Sequence, residues 1–290
     1  ETSLITTVSA VSGGMVTSEG VDGVTARGVS WGTNHNPTID RDRTTDGLGS
    51  GAFFSNLENL IPNTTYYVRA YATNSAGTAY GTEQTFVTLD VTKGSLNDID
   101  GNTYKTVVIG TQTWMAENLK TAKFTDNTSL PLISDNTEWI NLGSPGYCWY
   151  ENDALANKPT YGALYNWYSV NTGKLCPTGW HVATDEDWAV LSTFLGDGSA
   201  AEIKIKEVGT THWITNAFAI TNSSGFTALP AGTRLADDGT FYGIGEGTVW
   251  WSATENGAQY AFARSLATFG GFISGYADKH QGCSVRCIKD

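Results

Sequence analysis

Proline, long apolar runs and basic patches are scarce or missing in this chain, and each shortage narrows its class. Only 7 prolines stand beside 33 glycines in 290 residues, and few helix-periodic stretches are visible, so β structure with many turns is favoured. No run reaches the roughly 18 apolar residues of a membrane-spanning helix, so no direct membrane insertion is expected. Basic residues number 17 against 29 acidic ones, a formal charge of −12. Neither half compensates: five basic residues face nine acidic through residue 93, and twelve face twenty beyond it. Without a basic patch, nucleic acid is excluded as a partner, and the acidity argues against an anionic membrane surface.

Motifs that carry chemistry are equally sparse. His35, His181, His212 and His280 show no H-x₃-H or H-E-x-x-H spacing. No G-x-S-x-G elbow and no phosphate-cradling glycine loop occurs. The carboxylate pairs Asp185/Asp187 and Asp237/Asp238 have plainer readings, as helix capping and as a β-turn with Gly239. Asp98-x-Asp100-Gly101-Asn102 glances toward a calcium loop but lacks the later ligands, and it reads as a hairpin turn. No catalytic residue, metal or cofactor is therefore expected. The four cysteines, Cys148, Cys176, Cys283 and Cys287, lack C-x₂-C zinc spacing. Their even number points to disulfides in an oxidising compartment, with free buried thiols as the alternative and three connectivities open.

What is present is an aromatic load of 10 Trp, 13 Tyr and 11 Phe, more than small β cores need, which places some rings on a surface. The best-organised stretch is residues 175–196. Pro177-Thr178-Gly179 reads as a turn and Trp180-His181-Val182 as a short strand. Thr184 is a helix N-cap with Asp187 in the capping-box position, and Asp185, Glu186 and Asp187 put negative charge where the helix dipole favours it. Trp188, Leu191 and Leu195 form one apolar stripe, and Gly196 is the stop. Residues 99–115 read as two hairpins, turning at Asp100-Gly101 and Gly110-Thr111.

Residues 1–90 hold short β-prone runs between glycine-rich turns, the pattern of a small antiparallel sandwich. Leu60-Ile61-Pro62-Asn63-Thr64-Thr65-Tyr66 and the run through Asn74 resemble the corner and following strand of fibronectin type III domains. The resemblance implies that Tyr66 buries its ring and returns a hydrogen bond through its hydroxyl. Alternation then puts Val68, Ala70 and Ala72 inward and Tyr67, Arg69 and Tyr71 outward. The first half of the segment departs from the pattern, lacking a clear early tryptophan. Residues 91–94 are read as a linker.

In residues 95–290 the motifs are Trp114-Met115-Ala116-Glu117-Asn118-Leu119-Lys120, Tyr161-Gly162-Ala163-Leu164-Tyr165-Asn166-Trp167 and Cys176-Pro177-Thr178-Gly179-Trp180-His181. Gly225-Phe226-Thr227-Ala228-Leu229-Pro230-Ala231-Gly232, Trp251-Ser252-Ala253-Thr254-Glu255 and Ser284-Val285-Arg286-Cys287 follow. In this order they resemble the Fibrobacter succinogenes major paralogous domain, abundant in surface proteins of Bacteroidetes-type bacteria. That family is in turn similar to the C-type lectin-like and formylglycine-generating-enzyme fold. The implied architecture is an α+β domain, two helices on a twisted, mostly antiparallel sheet, following an all-β sandwich. Residues 197–250 are the expected irregular insertion. The resemblance pairs Cys176 with Cys287 and leaves Cys148 with Cys283.

Trp149, Tyr150, Trp213, Phe241 and Tyr242 lie in loop-rich stretches, and Trp251 adjoins Trp250, so that one ring of that pair points inward and the other outward. Flat rings near Asp237 and Glu255 suit a sugar, whose apolar face they cover while carboxylates read its hydroxyls. The expectation is a non-catalytic binding or adhesion protein of a bacterial surface, extracellular or at the outer membrane after removal of an N-terminal signal, with a glycan as ligand. A structural or protein-binding subunit of a surface assembly is the alternative. An enzyme of the formylglycine-generating type, with copper held by two nearby cysteines such as Cys283 and Cys287, is the third reading.

Overall fold

The computed structural model describes residues 2–89, 93–216 and 219–290. Its contacts divide the chain into two units, Glu1–Val91 and Thr92–Asp290. The first unit holds six strands, β1 (Ala10–Val16), β2 (Ala26–Gly32), β3 (Gly51–Leu57), β4 (Thr65–Asn74), β5 (Gly77–Tyr80) and β6 (Gln84–Val87). Strand β3 shows why they form: Phe53, Ser55 and Leu57 are buried while Ala52, Phe54 and Asn56 face solvent, the period of a half-buried strand. β1 pairs with β3, and β2, β5 and β6 assemble on β4, all antiparallel. Ala10, Phe53 and Leu57 from one sheet and Val29, Tyr66, Val68 and Phe86 from the other share a single core, as in a β-sandwich.

Tyr66 buries its ring, and its hydroxyl accepts from the Ile61 N–H at 3.0 Å. Tyr71, expected outward, is buried instead. The chain around Thr44 runs along the edge of β2, with Thr44 N–H donating to Val29 O, and the Tyr71 hydroxyl donates to Thr44 O at 2.6 Å. Alternation fails there because a loop covers the face that a bare sheet would leave wet.

The second unit opens with β7 (Lys93–Asn97), β8 (Thr103–Ile109) and β9 (Gln112–Met115), joined by turns at Gly101 and Gly110. The expected linker, residues 91–94, therefore ends inside a strand, and its first part lies outside the described residues. Short elements follow: α1 (Asn136–Ile140), β10 (Tyr147–Cys148), α2 (Ala154–Tyr161), β11 (Leu164–Tyr165), α3 (Trp167–Val170) and β12 (Trp180–Val182). Then come α4 (Asp185–Leu195), α5 (Gly198–Ile205), β13 (Ala231–Arg234), β14 (Phe241–Ile244), β15 (Gly247–Asn256), β16 (Tyr260–Ala267), β17 (Phe272–Asp278) and β18 (Cys287–Lys289). Two five-stranded sheets result, in the orders β12-β18-β9-β8-β7 and β14-β13-β15-β16-β17.

Helix α4 is the pivot between them. Thr184 Oγ1 accepts from the Asp187 N–H at 3.2 Å, and the Asp187 carboxylate accepts from the Thr184 N–H at 2.9 Å, closing the capping box. Gly196, at φ +96°, ends the helix in a left-handed conformation. Trp188, Leu191 and Leu195 are buried, and the Trp188 ring meets Trp114 at 4.7 Å and Trp250 at 5.9 Å between ring centres. A disulfide from Cys176 to Cys287 ties the segment before α4 to β18.

The remaining cysteines do not pair, against the expectation for Cys148 and Cys283. Strand β11 separates them: Cys148 lies opposite Leu164, and Cys283 bridges to Tyr165. Adjacent residues of a strand project to opposite faces, so the two thiols enter different clusters and point apart.

Asn118 and Arg286 explain what the recurrent motifs do. Asn118 Oδ1 accepts from Trp250 Nε1 at 2.9 Å and from Arg286 Nε at 2.7 Å, while its amide donates to Tyr161 O and Ser284 Oγ. The Arg286 guanidinium also donates to Met115 O, Phe226 O and Thr227 O, and it lies 4.3 Å from the centre of the Phe226 ring. Four separate motifs of the sequence, with Trp250 beside a fifth, thus meet at one buried polar hub that fastens the sheets together.

Candidate functional site

The structure disperses the residues expected to bind sugar. Trp149, Tyr150, Trp213 and Trp251 are all buried. Trp149 packs edge-on against Tyr147, and Tyr150 packs against Phe241 at 5.2 Å. The Trp213 indole donates to Ala228 O at 3.1 Å, and its ring carries the buried Lys206 ammonium 3.9 Å above its centre. Both Trp250 and Trp251 are enclosed, so neither ring points outward. Trp250 faces α4, while the Trp251 indole donates to Tyr165 O on the opposite side. Alternation does place the two rings on opposite faces, but at β15 both faces are covered.

Three of the expected residues reach solvent: Asp237, Tyr242 and Glu255. Asp237 sits in the turn before Gly239, whose φ of +72° and close approach to Asn136 leave no room for a side chain. Glu255 pairs with Lys279. Phe241 is half-buried, its ring 4.9 Å from the Arg234 guanidinium. Of the set, Tyr242 lines an open groove.

That groove, 210 Å³ in volume, lies on the sheet β14-β13-β15-β16-β17 and is lined by Thr233, Tyr242, Glu246, Val249, Ser265 and Ala267, among others. Pairing of Thr233 with Tyr242 and of Val249 with Ser265 puts each pair on one face. Tyr242 is 63% exposed, so its side chain is open to a ligand. Gly243 and Gly245, both at φ +81°, turn the chain so that Glu246 returns beside Tyr242. Glu246 supplies the one charged group of the lining. The Thr233 hydroxyl is already engaged, donating to Gly282 O and accepting from Gln281 Nε2. Ligand hydroxyls would therefore meet Glu246, Ser265 and the Tyr242 hydroxyl, with Val249 and Ala267 beneath. Such a groove can hold one pyranose or a small side chain, since pockets for larger ligands run to roughly 300–1,000 Å³. The sequence signal for Glu246 was the Tyr-Gly-Ile-Gly-Glu run: a hairpin there brings residues 242 and 246 together.

The cysteines form no reactive pair. Cys287 is bonded, Cys283 is enclosed with burial pushing its thiol well up, and burial pushes Cys148 up to about 12 against the opposing pull of Arg234. A two-cysteine copper site is thus not assembled. Among the described residues, no cluster of three or more His, Cys, Asp or Glu side chains is placed to hold a metal ion. Nor, among them, is any helix long and apolar enough to cross a membrane. The Asp98 and Asp100 carboxylates of the hairpin turn are occupied, Asp98 by Asn102 and Tyr104 and Asp100 by Thr121 and Ala122.

No curated protein matches the chain. Among solved structures, the sensor domain of the anti-sigma factor RsgI4 of Pseudobacteroides cellulosolvens is similar at 22% identity, over 31% of this chain and 71% of that one. Its TM-score of 0.24 is too low to bear on fold or function. The model of the Fibrobacter succinogenes major domain matches residues 107–289, which take in the whole sheet β14-β13-β15-β16-β17, strands β9, β12 and β18 of the other sheet, and the Asn118–Arg286 hub. The chain belongs to the Fibrobacter succinogenes major domain family.

Proposed function

We propose that the chain is a non-catalytic binding protein that works outside the cell and takes a glycan in the Tyr242 groove. The observation that carries this reading is the exposed Tyr242 on a groove that Glu246 also lines: an aromatic plate with a hydroxyl-reading group in the same lining. The Cys176–Cys287 disulfide supports an oxidising compartment. In this reading the first unit is a fibronectin type III-like spacer, supported by the buried Tyr66 and its bond from Ile61, and the second a C-type lectin-like domain. A glycan array followed by calorimetry tests the proposal. Tyr242→Ala and Glu246→Gln should each weaken binding about tenfold or more with the fold intact, a loss of about 1.4 kcal/mol. Silence across plant and host glycans, or affinity that ignores both substitutions, would refute it.

A protein ligand is the second reading, favoured by β17. That strand lies at the edge of its sheet and exposes Ile273 and Tyr276, as strands that recruit a partner do. Pull-down of a surface protein with the glycan array silent would favour it.

A further inference from the structure

A second cavity, 440 Å³ in volume, opens in the first unit, away from any residue that the sequence singled out for binding. Its volume falls within the roughly 300–1,000 Å³ usual for small-ligand sites, twice that of the Tyr242 groove. Trp31, at the end of β2, forms part of the lining; it is half-buried and packs against the core of the unit. Asn34, His35 and Asn36 stand on one stretch of the lining and Arg41 and Asp42 on another, all exposed.

The loop is braced rather than loose. The Glu83 carboxylate takes the His35 ring at 2.7 Å and the Asn36 N–H, and the His35 ring lies 3.8 Å from Tyr67. Ser30 Oγ donates to Pro37 O, Trp31 N–H to Asp42 O, and the Ile39 N–H to the Tyr80 hydroxyl. By contrast, within the described residues no hydrogen bond occupies the side chains of Asn34, Asn36, Arg41 or Asp42. A rigid frame thus presents two amides, a guanidinium and a carboxylate beside an indole. Arg41 and Asp42 balance in formal charge within the lining, and the Glu83 carboxylate is held by the frame at His35 and Asn36. The lining therefore favours neither an anion nor a cation by its own charge count, but it offers donors and acceptors in quantity.

We propose that this cleft is a saccharide subsite for a neutral sugar, one pyranose face lying on Trp31 and the ring hydroxyls read by Asn34, Asn36, Arg41 and Asp42. Aromatic plates covered by polar fork-like groups are the arrangement that a polyhydroxylated ring with an apolar face requires. The first unit is then more than the spacer of the proposed function: it binds sugar itself, independently of the Tyr242 groove.

Titration of the full chain with cello-, xylo- and mannohexaose, and with acidic oligogalacturonate, tests this by ¹H–¹⁵N shifts. At least one neutral hexasaccharide should move the amides of residues 31–42. Arg41→Ala and Asn34→Ala, both at exposed positions, should each weaken that response about tenfold, the worth of one good hydrogen bond. Tyr242→Ala should leave it unchanged, which separates this site from the groove. Silence of residues 31–42 toward all three neutral sugars, a response to the acidic oligomer alone, or a response unaltered by both loop substitutions would overturn the proposal.

Discussion

Asn118→Ala tests whether the buried hub, rather than any surface feature, is what the recurrent motifs maintain. Truncation removes the acceptor shared by Trp250 Nε1 and Arg286 Nε and the donor to Tyr161 O and Ser284 Oγ. Arg286 keeps Met115 O, Phe226 O and Thr227 O, so its charge is not stranded outright. Its position is nonetheless costly: burial pulls its pKa down to about 9, against the opposing pull of Glu117. An orphaned buried donor costs about 1–3 kcal/mol, and two are orphaned here, in addition to a small cavity. The expected loss is about 3–5 kcal/mol, a large share of the 5–15 kcal/mol typical of a whole domain. Urea unfolding followed by tryptophan fluorescence is the assay, because only Trp31 of the 10 tryptophans lies in the first unit and the signal reports the second. A loss below about 1 kcal/mol would refute the reasoning, since no buried network of this kind could be so cheaply opened.

Thiol titration of the unfolded chain without reductant should find two free thiols, from Cys148 and Cys283, and four would refute the disulfide. Cys176→Ser with Cys287→Ser should cost about 4–5 kcal/mol on the chain-entropy account of a loop of 111 residues, read as a lower urea midpoint. His181 links β12, α4 and Asp290, its two nitrogens 2.7 Å from Asp290 and 3.1 Å from Asp187. Burial pulls its pKa down, but the bonds to Asp290 and Asp187 outweigh this and raise it above the ordinary 6.5. Its contribution is therefore complete below that value and is lost as pH rises through the raised one. Burial pushes Asp187 up, but bonds from Thr184 and His181 hold it below the ordinary 3.8, so its contribution is present above that value and fades as pH falls through the lowered one. His181→Gln should flatten the alkaline side of a melting-temperature profile, and superimposable profiles would sink the assignment.

Helix α4 was legible to the residue because its signals are local. The Thr184 cap, the Asp187 return bond and the Gly196 stop each act within one turn of chain, and the stripe of Trp188, Leu191 and Leu195 needs only helical geometry. The turns at Gly101 and Gly110 were legible for the same reason. The pairing of Cys176 with Cys287 followed from family resemblance, not from any local pattern, and the structure contains it.

Exposure was not legible, because a side chain is wet or dry according to what arrives from elsewhere in the chain. Trp149, Tyr150, Trp213 and Trp251 carry flat rings among polar neighbours, yet tertiary packing encloses every one. Tyr71 lost its solvent to the stretch around Thr44, and Trp250 and Trp251 lost theirs to layers on both faces of β15. Cys148 and Cys283 had matching chemistry, but one intervening strand turns them to opposite faces. Capping, turns and amphipathic stripes are settled by bonds a few residues long, whereas the Tyr242 groove and the cleft at Trp31 exist only once distant strands have found their places.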